Sequence, residues 1–195
     1  DIEKEELWPD YPKDIADGWP GLLEHFPGVD LSGAIHVPGW RNKIWFFFQG
    51  QDQAVGWDVA SNKVDDETTP VQALLPCAAS ASGPFAPVYV DRGDSQSVYL
   101  FRGDEYTRFT VVDGSLPEKS DDGYPRKIGQ GWTGGLTVAP LCGVSVNWPN
   151  RSSALKNNKL YFFLGDLYTR WDIGTHSNNY RLDIPAGWVG WPEFE

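Results

Sequence analysis

The sequence contains no methionine, two cysteines and only three histidines in 195 residues. Two thiols, Cys77 and Cys142, cannot build a disulfide framework, and on their own they cannot close a tetrahedral zinc site. His25, His36 and His176 are scattered along the chain, so a three-imidazole metal centre would need all of them to converge. G-x-S-x-G, H-E-x-x-H, paired Cys-x-x-Cys and phosphate-cradling glycine motifs are missing as well, and a non-catalytic protein is the expectation. A glycosidase-type carboxylate pair is left open, because its defining distance is not encoded in sequence order. No apolar run approaches the roughly 18–20 residues that cross a bilayer. The opening Asp1-Ile2-Glu3-Lys4-Glu5-Glu6 has no basic-then-apolar secretory pattern. Positive charge is scarce too: 16 Lys and Arg against 27 Asp and Glu leave a net charge of −11. Duplex nucleic acid needs a cationic face to displace its counterions, so neither nucleic acid nor a membrane is an expected partner. Cationic ligands such as polyamines are electrostatically permitted.

What the chain has in excess is aromatic side chains, 14% of the residues with ten Trp, together with 21 Gly and 15 Pro. Aromatic and β-branched runs punctuated so often by turn formers favour an all-β fold. The runs repeat. Tyr11-Pro12-Lys13-Asp14-Ile15-Ala16-Asp17-Gly18-Trp19 matches Tyr124-Pro125-Arg126-Lys127-Ile128-Gly129-Gln130-Gly131-Trp132, and Tyr180-Arg181-Leu182-Asp183-Ile184-Pro185-Ala186-Gly187-Trp188 is a third copy. In each, Tyr precedes the Gly-Trp tryptophan by eight residues and Ile precedes it by four. The gap from Trp19 to Trp132 is almost twice the gap from Trp132 to Trp188. A degenerate copy is therefore expected near residue 75, where Val71-Gln72-Ala73-Leu74-Leu75-Pro76 stands.

A second signature keeps the same period. Val98-Tyr99-Leu100-Phe101-Arg102-Gly103-Asp104-Glu105-Tyr106-Thr107-Arg108-Phe109 matches the segment from Leu160 to Trp171, and Trp45-Phe46-Phe47-Phe48-Gln49-Gly50 with Val55-Gly56-Trp57-Asp58 is a weaker relative. Each is an apolar run, a glycine turn and a second aromatic-rich run, which is the pattern of a β-hairpin in a buried sheet. A short apolar stretch lies ahead of each hairpin: Ala34–Val37, Pro87–Val90 and Val144–Trp148. A sheet of three or four strands recurring every 50–60 residues or so is propeller geometry.

The pairing of Tyr-Phe-Phe-x-Gly-Asp-x-Tyr-x-Arg-Trp with a downstream Tyr-Pro-[Lys/Arg]-x-Ile-x-x-Gly-Trp resembles the hemopexin repeat, which occurs in stand-alone proteins that include legume seed albumins and fungal and bacterial hemopexin-like proteins. The resemblance covers nearly the whole chain and implies a four-bladed β-propeller as a single domain. Residues 1–30 read as the ending of the first blade, 31–80 as the second blade, 84–136 as the third and 137–192 as the fourth. Only the ending of the first unit is present, so about 30 residues of that blade are expected to be missing or supplied by another chain. Trp19, Trp132 and Trp188 are expected to pack between blades rather than to stack on ligands.

Four ligand classes follow from the resemblance and the residues together. A central-channel cation, Ca or Na, would take backbone carbonyls near Ala34, Pro87 and Ser145; aligning the innermost strands on their closing residues puts Ser32, Phe85 and Gly143 at the position where the family often carries Asp, and none is acidic. Haem would draw on His36, which lies on an innermost strand and whose counterparts in that alignment are Tyr89 and Asn147. Glycans would stack on Trp40 beside Arg41 and on Trp148 beside Asn150, in equivalent turns after the innermost strands. Polyamines suit the acidic balance. The expected function is therefore non-catalytic recognition of a small ligand or glycan (lectin, polyamine or haem binding). The alternatives are a storage or defence protein and a protein–protein interaction domain cut from a larger chain. A secreted or stored setting is favoured, and a homo-oligomer is compatible with all of these.

Overall fold

Long apolar runs become strands here because both faces of a sheet are covered. In the computed structural model the described residues are 13–38, 42–75, 85–92, 95–132, 136–146, 159–165, 167–173, 175 and 177–187. They form three antiparallel sheets. The first runs outward from β1 (Leu31–His36) through β2 (Lys43–Phe48) and β3 (Gln53–Asp58) to β4 (Lys63–Val64), with the two-residue β5 (Thr69–Pro70) also on β3. The second comprises β6 (Ala86–Asp91), β7 (Gln96–Arg102), β8 (Glu105–Thr110) and β9 (Arg126–Lys127) in that order. The third comprises β10 (Cys142–Val146), β11 (Lys159–Leu164), β12 (Leu167–Asp172) and β13 (Ser177–Asp183). The inner strands β1, β6 and β10 lie next to one another, β6 in the middle, and the sheets radiate from them as propeller blades.

The cores lie between blades, and the period-2 alternation of each strand divides its side chains between two of them. On β2, Phe46 and Phe48 enter the cluster beneath the N-terminal ending, while Trp45 and Phe47 enter the cluster shared with the second sheet. On β7, Val98 and Leu100 complete that shared cluster, while Tyr99 and Phe101 turn to the third sheet with Leu160 and Phe162 of β11. An uninterrupted aromatic run such as Trp45–Phe48 is thus two half-strands, each facing its own neighbour. The hairpin turns are closed by Gly50, Gly103 and Gly165 at φ of 69°, 58° and 72°, a left-handed conformation that glycine reaches without a side-chain clash.

Each unit ends in one helical turn: α1 (Ile15–Gly18), α2 (Val71–Leu74), α3 (Ile128–Gly131) and α4 (Ile184–Gly187). The first three share one terminal hydrogen bond, donated by the amide of Trp19, Leu75 or Trp132 to the carbonyl of Ile15, Val71 or Ile128, at 2.7, 2.7 and 2.8 Å. The copy that the spacing places near residue 75 is therefore α2, with Leu75 in the tryptophan's place. The capping residue reaches into the following blade. Trp19 meets Phe46 and Trp57 edge-on, at 5.0 and 4.8 Å between ring centroids, and Trp132 meets Phe162 and Trp171, both at 5.1 Å. Leu75 joins Leu100 and Phe109, the counterparts of those rings, in one buried cluster. Trp19, half-buried, and Trp132, buried, are interblade packing residues; fully burying a side chain of this size is worth about 4–6 kcal/mol. Trp188 lies outside the described residues.

Candidate functional site

Where β1, β6 and β10 meet at the hub they line a cavity of about 500 Å³. Among the described residues each of these strands pairs with one neighbouring strand only, which leaves its other backbone edge toward the hub. Two glycines set how closely the strands approach. A Cβ on Gly33 would stand 2.9 Å from the Pro87 ring, and one on Gly143 would stand 2.7 Å from a Val88 methyl.

The pairing of the inner strands with their neighbours fixes which hub residues are equivalent. His36 is opposite Ile44, Tyr89 opposite Val98 and Ser145 opposite Leu160, and these partners occupy the same position in the repeated hairpin. Likewise Ala34 is opposite Phe46, Pro87 opposite Leu100 and Gly143 opposite Phe162. The hub therefore has a polar layer of His36, Tyr89 and Ser145 and a small-residue layer of Ala34, Pro87 and Gly143. This moves the third strand two residues from the alignment on its closing Trp148-Pro149: Ser145, not Asn147, is the counterpart of His36 and Tyr89, and Gly143 that of Ala34 and Pro87. The physical reason is connection length. From β10 to β11 the chain runs from Val146 to Lys159, whereas β1 to β2 takes only His36 to Lys43, so the proline after the strand is not held at one distance from it.

All five sequence-selected hub residues, Ala34, His36, Pro87, Tyr89 and Ser145, line the cavity. Trp40, Arg41, Trp148 and Asn150 lie outside the described residues, as does Cys77; Cys142, on β10, is a free and exposed thiol. Asp91 also lines the cavity and was not singled out from the sequence, although its spacing held the signal: it follows Tyr89 by two residues on one strand and so shares its face.

The hydroxyls of Tyr89 and Ser145 are buried, with no hydrogen-bond partner among the described residues. Such an orphan costs about 1–3 kcal/mol unless something meets it. Burial first, and then the Asp91 carboxylate, push the Tyr89 phenol up to about 12, so at neutral pH it is an uncharged group that both donates and accepts. The site thus offers an imidazole, two hydroxyls, one carboxylate and the carbonyls of the strand edges. Among the described residues no three His, Cys, Asp or Glu side chains come together as a metal cluster, and no helix is long and apolar enough to cross a membrane.

The Hemopexin family model matches residues 87–135, the second sheet from Pro87 onward with its α3 ending. The chain has the hemopexin fold. Its solved neighbours include hemopexin fold protein CP4 from cow pea, with a TM-score of 0.61 and 19% identity over 90% of this chain and 77% of that one. The seed albumin LS24 from Lathyrus sativus gives 0.63 and 18% over 93% and 78%. A plant albumin from Cicer arietinum showing hemagglutination gives 0.64 and 18% over 91% and 78%. No curated protein matches the sequence at a significant level. In this hemopexin-fold chain β1, β6 and β10 are the innermost strands of the three sheets, and residues of all three line the hub cavity.

Proposed function

We propose that this chain is a non-catalytic binding protein that takes a small, polar, amine-bearing ligand in the hub cavity. The observation that carries the reading is the convergence of Tyr89, Ser145, His36 and Asp91 on one cavity, with two of their hydroxyls unpartnered. Asp91 supplies the charge for an ammonium group, and the hydroxyls and strand-edge carbonyls accept its remaining N–H bonds. The net charge of −11 concentrates cations at the surface and favours such a ligand over an anion.

A cation in the hub is the same chemistry at smaller scale. Oxygen donors of this kind suit a hard ion, with carbonyls of Ala34 and Pro87 and either Ser145 or its neighbour Gly143 as the holding groups; one carboxylate favours weak, exchangeable binding of Na or Ca over a tight site. Haem would rely on His36 as its axial donor, beside a Tyr89 phenol whose pKa burial pushes up to about 12.

The test is calorimetric titration of the chain with spermine, at low salt and at about 0.3 M salt, beside Asp91→Asn. Binding that weakens about tenfold in the variant and falls with salt supports the reading. No heat with spermine or with simpler diamines removes it.

A second reading is glycan recognition, because a neighbouring plant albumin of this fold shows hemagglutination. It would use the turns at Trp40-Arg41 and Trp148-Asn150. Sugar-competable binding on a glycan array supports it, and a blank array leaves the hub ligand or a storage role.

A further inference from the structure

The unit endings share a backbone but not a charge. The two residues ahead of each helical turn are Lys13-Asp14 at α1, Thr69-Pro70 at α2, Arg126-Lys127 at α3 and Leu182-Asp183 at α4. In a chain of net charge −11, only the α3 turn is preceded by two cations and no acid. A cavity of about 480 Å³ opens beside it, away from the hub, lined by Glu105, Gly123, Arg126, Lys127, Gln130 and Gly131 among others. The two cations are held differently. Lys127 Nζ bridges the carboxylates of Asp104 and Glu105, at 2.7 and 3.2 Å, so its charge is already matched. Arg126 lies over the Tyr124 ring, 4.7 Å from its centroid, and its Nε donates to the Gly123 carbonyl at 3.2 Å. Among the described residues no carboxylate pairs with Arg126, and its terminal nitrogens Nη1 and Nη2 make no hydrogen bond.

We infer that Arg126 anchors a second binding site, one that takes a small monocarboxylate end-on through Nη1 and Nη2. The ring beneath the guanidinium and the bond from Nε fix its plane and rotation before any ligand arrives, so little side-chain freedom is lost on binding. Two parallel N–H donors in a fixed plane match the two oxygens of a carboxylate. The Gln130 side chain, on the same cavity wall, adds a neutral donor. Charge limits the ligand to a single negative unit. Glu105 lines the cavity and Asp104 stands behind Lys127, and one ammonium cannot neutralise both, so a dianion such as inorganic phosphate meets repulsion that a monocarboxylate largely escapes. This site is independent of the amine reading of the hub.

The experiment is an NMR titration of the 195-residue chain with acetate and, separately, with inorganic phosphate, chloride keeping the ionic strength constant. Acetate should shift the Arg126 Nε–H signal and the backbone amides of residues 123–131 along one saturating curve, with a Kd in the millimolar range, and phosphate should bind more weakly. Arg126→Lys keeps the charge but loses the planar fork, and should weaken acetate binding about tenfold or more. Glu105→Gln removes a repulsive neighbour and should tighten it severalfold. Opposite effects of two substitutions at one cavity cannot come from a general loss of folding. Shifts that rise without saturating, equal binding by Arg126→Lys, or no gain in Glu105→Gln overturn the inference. Tighter binding of phosphate than of acetate also overturns it, since the site would then answer to charge and not to the carboxylate's shape.

Discussion

Gly131 and Tyr106 share one space: the phenol of Tyr106 lies where the β-carbon of any other residue at position 131 would have to go. This contact joins the two recurring signatures of the sequence, since Tyr106 belongs to the hairpin and Gly131 to the Gly-Trp ending. Behind it, Ile128 is fully buried and Tyr124 packs edge-on against Tyr106 at 5.5 Å. Tyr124 in turn stands under the guanidinium groups of Arg108 and Arg126, at 5.1 and 4.7 Å from its ring centroid. The spacing between the motifs is thus the spacing of one interlocking set of side chains.

Gly131→Ala should destabilise the protein by about 1–3 kcal/mol, the ordinary cost of overpacking a core. Tyr106→Phe should recover part of that loss, because it removes the nearest atom while ring carbons at 2.6 and 2.8 Å remain. Urea unfolding of both single variants and the double variant checks this; strictly additive losses would show that the two positions do not interact.

Asp121 should govern part of the acid sensitivity. It accepts hydrogen bonds from Arg108 Nε at 2.5 Å and from the Thr110 amide and hydroxyl at 3.0 and 2.9 Å. Burial by itself would raise its pKa, but the Thr110 and Arg108 bonds outweigh burial and hold the carboxyl below its usual range. A depressed folded-state pKa stabilises the protein above the unfolded value near 3.9, and that stability is lost as pH falls through the folded value. Asp121→Asn should therefore cost about 1–2 kcal/mol at pH 7, with the gap to the unmodified protein closing below about pH 4. A gap that is constant from pH 7 to pH 2 would refute the assignment.

Tyrosine ionisation should divide into two groups. Burial raises the pKa of Tyr99 and Tyr106, and burial with Asp91 pushes Tyr89 up to about 12. Because the folded state holds these protons longer than the unfolded chain, their contribution to stability is complete below about pH 10 and is lost as pH rises above it. Absorbance titration in the phenolate band should show early and late steps, and Tyr89→Phe should remove one late proton. Loss of an early step instead would place Tyr89 in an ordinary solvated setting.

Much of this architecture is legible in the sequence because a repeated sheet repeats its constraints. The hairpin glycines, the Ile and Trp of the endings, and the apolar runs all answer to local geometry or to a neighbour one unit away. Even the degenerate ending is located by arithmetic alone, although Val71–Leu75 shares neither the glycine nor the tryptophan of its counterparts. Why Leu74 and Leu75 suffice there is visible only in the packing: Ala54 leaves the space that Tyr106 fills elsewhere, and Leu100 and Phe109 stand where other blades have a phenylalanine and a tryptophan.

The hub shows the limit of that legibility. Sequence by itself determined the class of fold, the spacing of the hairpins and endings and the strands that lie innermost, because strand period, turn chemistry and repeat spacing are local properties of the chain. Only the tertiary structure decided that Ser145 shares a layer with His36 and Tyr89, and that Asp91 joins them. Register across a hub is set by cross-strand pairing and by how closely Gly33 and Gly143 let the strands approach, and a connection of variable length carries no record of either.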